Sequence, residues 1–184
     1  MVAPSHPSGE AAAQPHPLRP AGEEGRLWDA AAAVADPEIP VISIADLGIL
    51  RAARLINHRP TITITPTYSG CPAMETITAD IRSRCRAAGF GDVVVETQLS
   101  PAWTTAWMTE RGAQQLREYG ITPPQPLRTR GGPIPIELSI PRNVPCPRCG
   151  STDTRKLAHF GSTSCKALYS CNNCHEPFDY FKAH

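Results

Sequence analysis

Four cysteines near the C-terminus carry the clearest chemical signal in the sequence. They form two Cys-x-x-Cys pairs, Cys146 with Cys149 and Cys171 with Cys174. Two such turns at this separation can place four thiolates around one ion in tetrahedral geometry. So short a segment buries too little apolar surface to fold on its core alone, so metal binding would supply much of its folding free energy. The pattern therefore predicts a metal-dependent ribbon near the C-terminus.

The identity of the ribbon metal depends on the softness of its ligands. Four thiolates suit Zn²⁺, which is the expected structural ion, but they also bind iron or an iron–sulfur cluster, so these alternatives stay open. Cys165 precedes the second pair and is surplus to a four-thiolate site. It is interpreted either as an extra, exchangeable ligand or as a buried thiol.

Cys71 is the second residue to which the sequence assigns chemistry. It lies between the turn Tyr68-Ser69-Gly70 and Pro72, and proline suits the first position of a helix. Free N–H groups and the helix dipole would stabilise a thiolate at a helix start, so this thiol would suit nucleophilic attack, persulfide chemistry or soft-metal binding. The alternative is a small buried residue at a tight turn. Cys85, on the apolar stripe of the same predicted helix, is interpreted as a core residue.

Three acidic residues form a group near the first predicted strand: Asp36, Glu38 and Asp46. They could face Cys71 and share a metal or polarise a partner. They could equally cap turns or a helix, which is the commoner use of such residues.

Apolar periodicity, together with prolines and glycines at the ends of segments, predicts the helices and strands that would position these residues. Helices are expected from Glu23 to before Pro37, from Pro72 to Gly89 and over 110–119; strands are expected over 49–56, 61–65 and 92–97. The first two strands are expected to form a hairpin. The order α-β-β-α-β-α predicts an α+β domain with a small three-stranded sheet, followed by the C-terminal zinc ribbon.

Composition divides the 184 residues, 20 of them proline, into four segments. These are a disordered tail (1–22), an α+β domain (23–121), a proline-rich linker (122–141) and the four-cysteine ribbon (142–184). The net charge of +1 gives no electrostatic case for nucleic acid. An export signal and an apolar run of membrane-spanning length are both missing from the sequence, which predicts a cytoplasmic protein without a membrane partner. Seven cysteines in such a chain favour reduced, metal-binding thiols over disulfides.

Longer motifs then give a family resemblance from about residue 24 to the end. Asp36-Pro37-Glu38-Ile39-Pro40-Val41-Ile42-Ser43-Ile44, with Asp46-Leu47-Gly48, and the run 66–74 resemble the two signatures of the small iron–sulfur assembly family that includes SufT. The runs 160–168 and 176–182 narrow the resemblance to the PaaD-like accessory subunits of the phenylacetyl-CoA epoxidase (phenylacetate-CoA oxygenase) system.

The resemblance implies a role in the aerobic catabolism of phenylacetate, a form of aromatic compound degradation. Its implied task is maturation of the multicomponent ring epoxidase, by assisting assembly of an iron–sulfur or di-iron centre. Cys71 would be the signature thiol, with an iron–sulfur cluster bound transiently nearby. The implied partners are the other oxygenase subunits, the reductase and iron–sulfur assembly proteins, and a homodimer stays open. The chain is expected to be a non-catalytic subunit, although its status as an enzyme is left open.

Two other functions remain as alternatives. An iron-binding electron-transfer component would carry iron in the four-thiolate site and would absorb visible light. A nucleic-acid-binding zinc ribbon is less favoured because of the near-neutral charge, and strong salt-dependent binding would revive it.

Overall fold

The computed structural model describes residues 16–125 and 144–182. Residues 1–15 of the expected tail and residues 126–141 of the expected linker lie outside this part. Three α-helices precede the ribbon: α1 (Gly22–Ala32), α2 (Met74–Ala87) and α3 (Glu110–Glu118). The strands are β1 (Leu50–Ile56), β2 (Arg59–Ile64), β3 (Val94–Thr97), β4 (Ile121–Thr122), β5 (Thr154–Ala158), β6 (Lys166–Cys171) and β7 (Pro177–Phe181). The α+β class and the predicted order of the first six elements are confirmed.

The first sheet has the strand order β1-β2-β3. β1 and β2 form the predicted antiparallel hairpin, and its turn is only Asn57-His58, both with positive φ, as in the primed turns that match strand twist. β3 runs parallel to β2, so α2 serves as the crossover between them. Cys71 therefore lies in the connection between β2 and α2.

The core of the first domain lies between the sheet and helices α1 and α2. The helices contribute one buried stripe each, as the periodicity predicts, and Cys85 is fully buried within it. α1 ends at Ala32, a turn earlier than the expected stop at Pro37, because residues 33–49 form a compact loop that is itself buried. Its fully or almost fully buried members are Val34, Ile39, Ile42, Ile44, Leu47 and Ile49.

The N-terminal boundary differs from the predicted one. The Arg19 guanidinium donates two hydrogen bonds of 2.6 Å to the Asp29 carboxylate of α1. The His16 ring lies 5.1 Å from the Trp28 ring, centroid to centroid. A bidentate charged pair and a ring contact therefore attach residues 16–21 to α1, although they were assigned to the tail.

The second sheet joins the two predicted domains. Its strand order is β4-β7-β6-β5, and β4, directly after α3, pairs in parallel with β7 of the ribbon. The Thr122 hydroxyl, in the expected linker, donates a 2.8 Å hydrogen bond to the Pro145 carbonyl. Trp103 and Phe181 meet edge to face at 6.0 Å, and Phe181 belongs to the core of the first domain. The ribbon is therefore packed on the α+β domain.

A search of residues 16–125 and 144–182 finds no helix that is long and apolar enough to cross a lipid bilayer.

Candidate functional site

The four paired cysteines converge as predicted. Their sulfur atoms all lie within 4.8 Å of one another. The Sγ atoms of Cys146 and Cys174 are 3.7 Å apart, and those of Cys149 and Cys171 are 3.6 Å apart. A tetrahedral ion with metal–sulfur bonds near 2.3 Å requires sulfur–sulfur edges of about 3.8 Å. These two separations are close to that edge length, and the four thiols together suit a four-coordinate metal ion.

Two turns of similar shape present these thiols. In the first, Gly150 follows the second cysteine with φ +74°, and its N–H donates to the Cys146 carbonyl at 2.9 Å. In the second, His175 takes the equivalent position with φ +59°. Glycine is the usual residue at such a position, whereas a left-handed histidine has no sequence signature of its own.

The thiols carry an electrostatic imbalance that a cation would relieve. A backbone hydrogen bond from Ser151 is the main reason that the pKa of Cys149 falls to about 6. A backbone hydrogen bond from Glu176 lowers the pKa of Cys174, but burial and the three neighbouring thiols outweigh it and raise that pKa to about 12. The opposite shifts of Cys149 and Cys174 show that neighbouring thiols compete for negative charge, which a cation among them would relieve.

Cys165 does not belong to this cluster. It precedes the first residue of β6, whereas Cys171 is the last residue of β6. At about 3.3 Å of rise per residue, the strand separates the two cysteines by roughly 20 Å. The expectation of an extra ligand to the ribbon ion is therefore not met, and Cys165 is a buried thiol, 5% exposed.

The surroundings of Cys165 come from both domains. Its Sγ donates to the Glu38 carboxylate at 3.4 Å and lies 3.0 Å from the Thr163 hydroxyl oxygen. The Lys182 N–H donates to the Cys165 carbonyl at 2.9 Å. The ribbon thus delivers a second thiol to the acidic loop of the first domain.

Cys71 lies one turn before α2, not at its N-cap. Ala73 is the N-cap residue, and the Cys71 N–H donates to the Tyr68 carbonyl at 3.3 Å. Burial is the largest cause that raises the pKa of Cys71, and the charges of Glu38 and Asp36 raise it further; hydrogen bonds from Ala73 and Met74 only partly oppose this. The N–H groups at the helix start therefore reach the Cys71 thiol, as the sequence predicts, but burial and the two carboxylates outweigh them; the reactivity of this thiol stays a prediction.

The three predicted acidic residues have separate roles. Asp36 accepts hydrogen bonds from the N–H groups of Glu38 (2.8 Å) and Ile39 (2.9 Å), so it caps its own turn. Burial nevertheless raises its pKa. Glu38 contacts Cys165.

Asp46 serves α3 rather than a thiol. It accepts hydrogen bonds from Ser43 at 2.8 Å, from Thr109 at 2.7 Å and from Arg111 at 2.7 and 3.1 Å. These contacts attach the start of α3 to the loop before β1. The capping interpretation is therefore correct for Asp36, and Asp46 has a structural role of the same kind.

Tyr68 and Lys166 are neighbours of this thiol loop that the sequence interpretation missed. Burial is the main cause that raises the pKa of the Tyr68 hydroxyl; the charges of Cys71, Glu38 and Cys165 add to it, and a hydrogen bond with Ser164 opposes it. Tyr68 could have been singled out from the motif it shares with Cys71.

Lys166 is 5% exposed and pairs with Asp179 at 3.5 Å. Its charge partly opposes the rise that burial causes in the pKa of Asp36. Lysine in a short strand ordinarily points to water, so no sequence pattern reveals this burial.

Two protein families match the two halves of the chain. Residues 25–97 match the family described as iron–sulfur cluster assembly protein, and this range includes Cys71 and all three acidic residues. Residues 135–182 match the family described as PaaD zinc beta ribbon domain, and this range includes the four-cysteine cluster.

Individual relatives match different shares of the chain. A protein of Escherichia coli (strain K12), named as a subunit of a putative 1,2-phenylacetyl-CoA epoxidase, is 47% identical over 156 residues, which cover 85% of this chain and 90% of that protein. A Porphyromonas gingivalis protein, "Fe-S protein maturation auxiliary factor", is 32% identical over 85 residues, 45% of this chain and 80% of that one. A solved domain of unknown function from Bacillus anthracis is 26% identical with a TM-score of 0.46, and the match covers 50% of this chain and 90% of that one.

Proposed function

The chain belongs to the PaaD family of phenylacetyl-CoA epoxidase subunits, and we propose that it is the accessory subunit that helps to install an iron centre in that oxygenase. The E. coli relative bears the name of an epoxidase subunit, and the P. gingivalis relative bears the name of an iron–sulfur maturation factor. The two names describe complementary parts of one task. The first domain handles iron, and the ribbon ties this activity to a particular enzyme complex.

The observation that carries the proposal is the position of Cys71. It lies within the region that matches the iron–sulfur assembly family, in a half-exposed turn near the acidic Glu38. A soft sulfur beside hard carboxylate oxygens suits iron, which accepts both kinds of ligand. The elevated pKa of Cys71 favours the neutral thiol until a cation approaches, and such a thiol binds metal reversibly because a proton can replace it.

Zinc is the proposed resident ion of the ribbon. The sulfur–sulfur distances match a zinc–thiolate tetrahedron, and the matched family is described as a zinc ribbon. Four protein ligands close the coordination shell, which is the hallmark of a structural site.

The same four thiolates would accept iron, so the electron-transfer alternative has a structural basis. It predicts a visible sulfur-to-iron absorption band in the protein as purified, whereas a colourless protein with about one zinc ion per chain supports the structural role.

Partners and a cellular location are expected from the proposed function. The expected partners are the oxygenase subunits, their reductase and iron–sulfur assembly proteins. The expected location is the cytoplasm, where thiols such as the seven of this chain stay reduced. A homodimer stays a prediction.

Co-expression with the oxygenase tests the proposal. The oxygenase subunits are produced with the wild-type chain, with Cys71→Ser or with the control Cys85→Ala, which removes a thiol of the fully buried core. We expect Cys71→Ser to lower both the iron content and the turnover of the purified oxygenase, while the control leaves both near wild type. Equal iron content and turnover with wild type and Cys71→Ser would refute the proposal, provided that the variant keeps its zinc.

A further inference from the structure

A cavity of about 570 Å³ lies beside the start of α3, and none of the residues that line it is a cysteine. Its volume is in the range of small-molecule sites, which is roughly 300–1,000 Å³. One part of its wall is apolar and consists of Leu18, Ala106, Trp107 and Met108. The cavity is therefore a candidate binding site that the proposed handling of iron does not use.

The motif Asp46-Leu47-Gly48 holds this apolar wall in place. The Thr109 N–H donates to the Asp46 carbonyl at 2.8 Å. Gly48 has φ +79°, and a Cβ atom there would lie 2.6 Å from the Trp107 carbonyl oxygen. Any larger residue would push this segment away, so the glycine of the motif fixes the position of Trp107 beside the cavity.

Arg51 supplies an unpaired positive charge to the same cavity. It is the extra residue of a β-bulge, because the pairing with β2 skips it between Leu50 and Ala52. Bulges commonly redirect a side chain beside a binding site. The guanidinium carbon of Arg51 lies 3.5 Å from the centroid of the Trp107 ring. In the part of the chain that the structure describes, no carboxylate pairs with Arg51, and burial lowers its pKa.

We propose that this cavity binds a small organic carboxylate, with the carboxylate on Arg51 and an apolar body against Trp107 and Met108. A guanidinium that packs on an aromatic face keeps its N–H groups available in its own plane, where they match the two oxygens of a carboxylate. The apolar wall offers no hydrogen bonds to a polar body, so it favours an aromatic ring or a short alkyl chain. This inference goes beyond the proposed function and does not depend on Cys71.

The other charges around the cavity favour a ligand with one negative charge. The Arg111 guanidinium lines the cavity but is already paired with Asp46 at 2.7 Å. Glu110 also lines the cavity and is exposed. Arg51 can therefore balance one carboxylate, whereas a doubly charged phosphate group would carry an excess charge that Glu110 repels.

Calorimetric titration of the zinc-loaded full chain with benzoate tests this inference, and tryptophan fluorescence provides a second signal from Trp107. Three analogues each remove one proposed feature: benzamide lacks the charge, acetate lacks the apolar body, and phenyl phosphate carries a second charge. We expect benzoate to bind, and each analogue to bind at least about tenfold more weakly.

Variants of two arginines of β1 locate the site. Arg51→Met should bind benzoate at least about tenfold more weakly than the wild type, and Arg51→Lys should bind it several-fold more weakly, because lysine keeps the charge but loses the planar fork. Arg54→Met and Arg54→Lys are the matched controls at an exposed position of the same strand and should bind as the wild type does. Zinc content and thermal unfolding identify a variant that has lost its fold. Should Arg51→Met be such a variant, Arg51→Lys decides the matter.

A wild type that does not bind benzoate at millimolar concentration overturns the inference. So does benzoate binding of wild-type strength in both Arg51 variants, or an equal loss in the Arg54 controls. Equal binding of benzoate and any of the three analogues would contradict the ligand class. A short peptide that ends in phenylalanine presents a carboxylate and a ring as well, and tighter binding of this peptide than of benzoate would overturn the choice of a small molecule.

Discussion

The four-cysteine cluster and the loop around Cys71 are both thiol sites, but different forces position them. In the ribbon, two short turns bring four sulfur atoms together beside a small group of buried residues. Around Cys71, the chain is positioned by a larger apolar core and by carboxylates that cap turns. We therefore expect the ribbon to depend on a bound ion for its shape, and the loop around Cys71 to depend on packing.

Loss of the ribbon metal should have the largest effect on the contrast between the two thiol sites. Cys149→Ser, or chelation, should release zinc and unfold the ribbon, because such ions contribute on the order of 10–16 kcal/mol of apparent binding free energy in small motifs. The helical circular dichroism signal of the first domain should persist, but with a lower melting temperature, since Phe181 would leave the core beside Trp103. Proteolysis and zinc analysis follow the ribbon directly.

Cys85→Ala is the matched control for thiol removal and should keep its zinc. A Cys149→Ser chain with a full complement of zinc and a protease-resistant ribbon would contradict the dependence of the ribbon on its ion.

A smaller loss of stability is expected in the first domain. Asp46→Asn should cost about 1–3 kcal/mol of the free energy of unfolding, because it weakens hydrogen bonds to a buried carboxylate. Burial alone would raise the pKa of Asp46, but hydrogen bonds from Arg111, Thr109 and Ser43 prevail and lower it. The stabilisation is therefore complete above the unfolded pKa of about 4 and is lost as the pH falls through the folded value.

Denaturant titrations at neutral and acidic pH measure this loss. The Asn variant should show a weaker dependence on acid than the wild type, and Asp80→Asn, at an exposed position of α2, should behave as the wild type. Zinc content should stay unchanged in both. Equal acid sensitivity of the wild type and Asp46→Asn would contradict the role given to these hydrogen bonds.

The smallest effect compares the two metal-binding turns with each other. His175→Gly should stabilise the zinc-loaded ribbon by about 1 kcal/mol, because it relieves a left-handed backbone at φ +59°. Gly150→Ala should destabilise it by a similar amount, since Gly150 has φ +74°. Thermal unfolding of the zinc-loaded chains measures both shifts, and a destabilising His175→Gly would show that the imidazole itself supports the turn.

The sequence predicted those features that depend on neighbours along the chain. The convergence of the four ribbon cysteines, the hairpin and the buried stripe of α2 follow from spacing and periodicity. The pairing of β4 with β7 was missed, because a two-residue strand has no periodicity to detect. The contact between Cys165 and Glu38 was missed for a related reason: it depends on how two domains dock, and no local pattern encodes that distance.

The environment of Cys71 was predicted only in part: the N–H groups of Ala73 and Met74 do bond to its thiol, but burial and the charges of Glu38 and Asp36 act in the opposite sense and raise its pKa. Such a balance depends on burial and distance, which the order of residues alone does not give.

Metal exchange from a chain loaded with both zinc and iron tests the division of labour between the two thiol sites most directly. The loaded protein is incubated with the iron-free oxygenase, the two are separated, and both metals are measured in each. Iron should move to the oxygenase while zinc stays with the ribbon. Release of zinc in step with iron, or retention of both metals, would contradict the proposal of a structural ion at the four cysteines and an exchangeable one at the loop around Cys71.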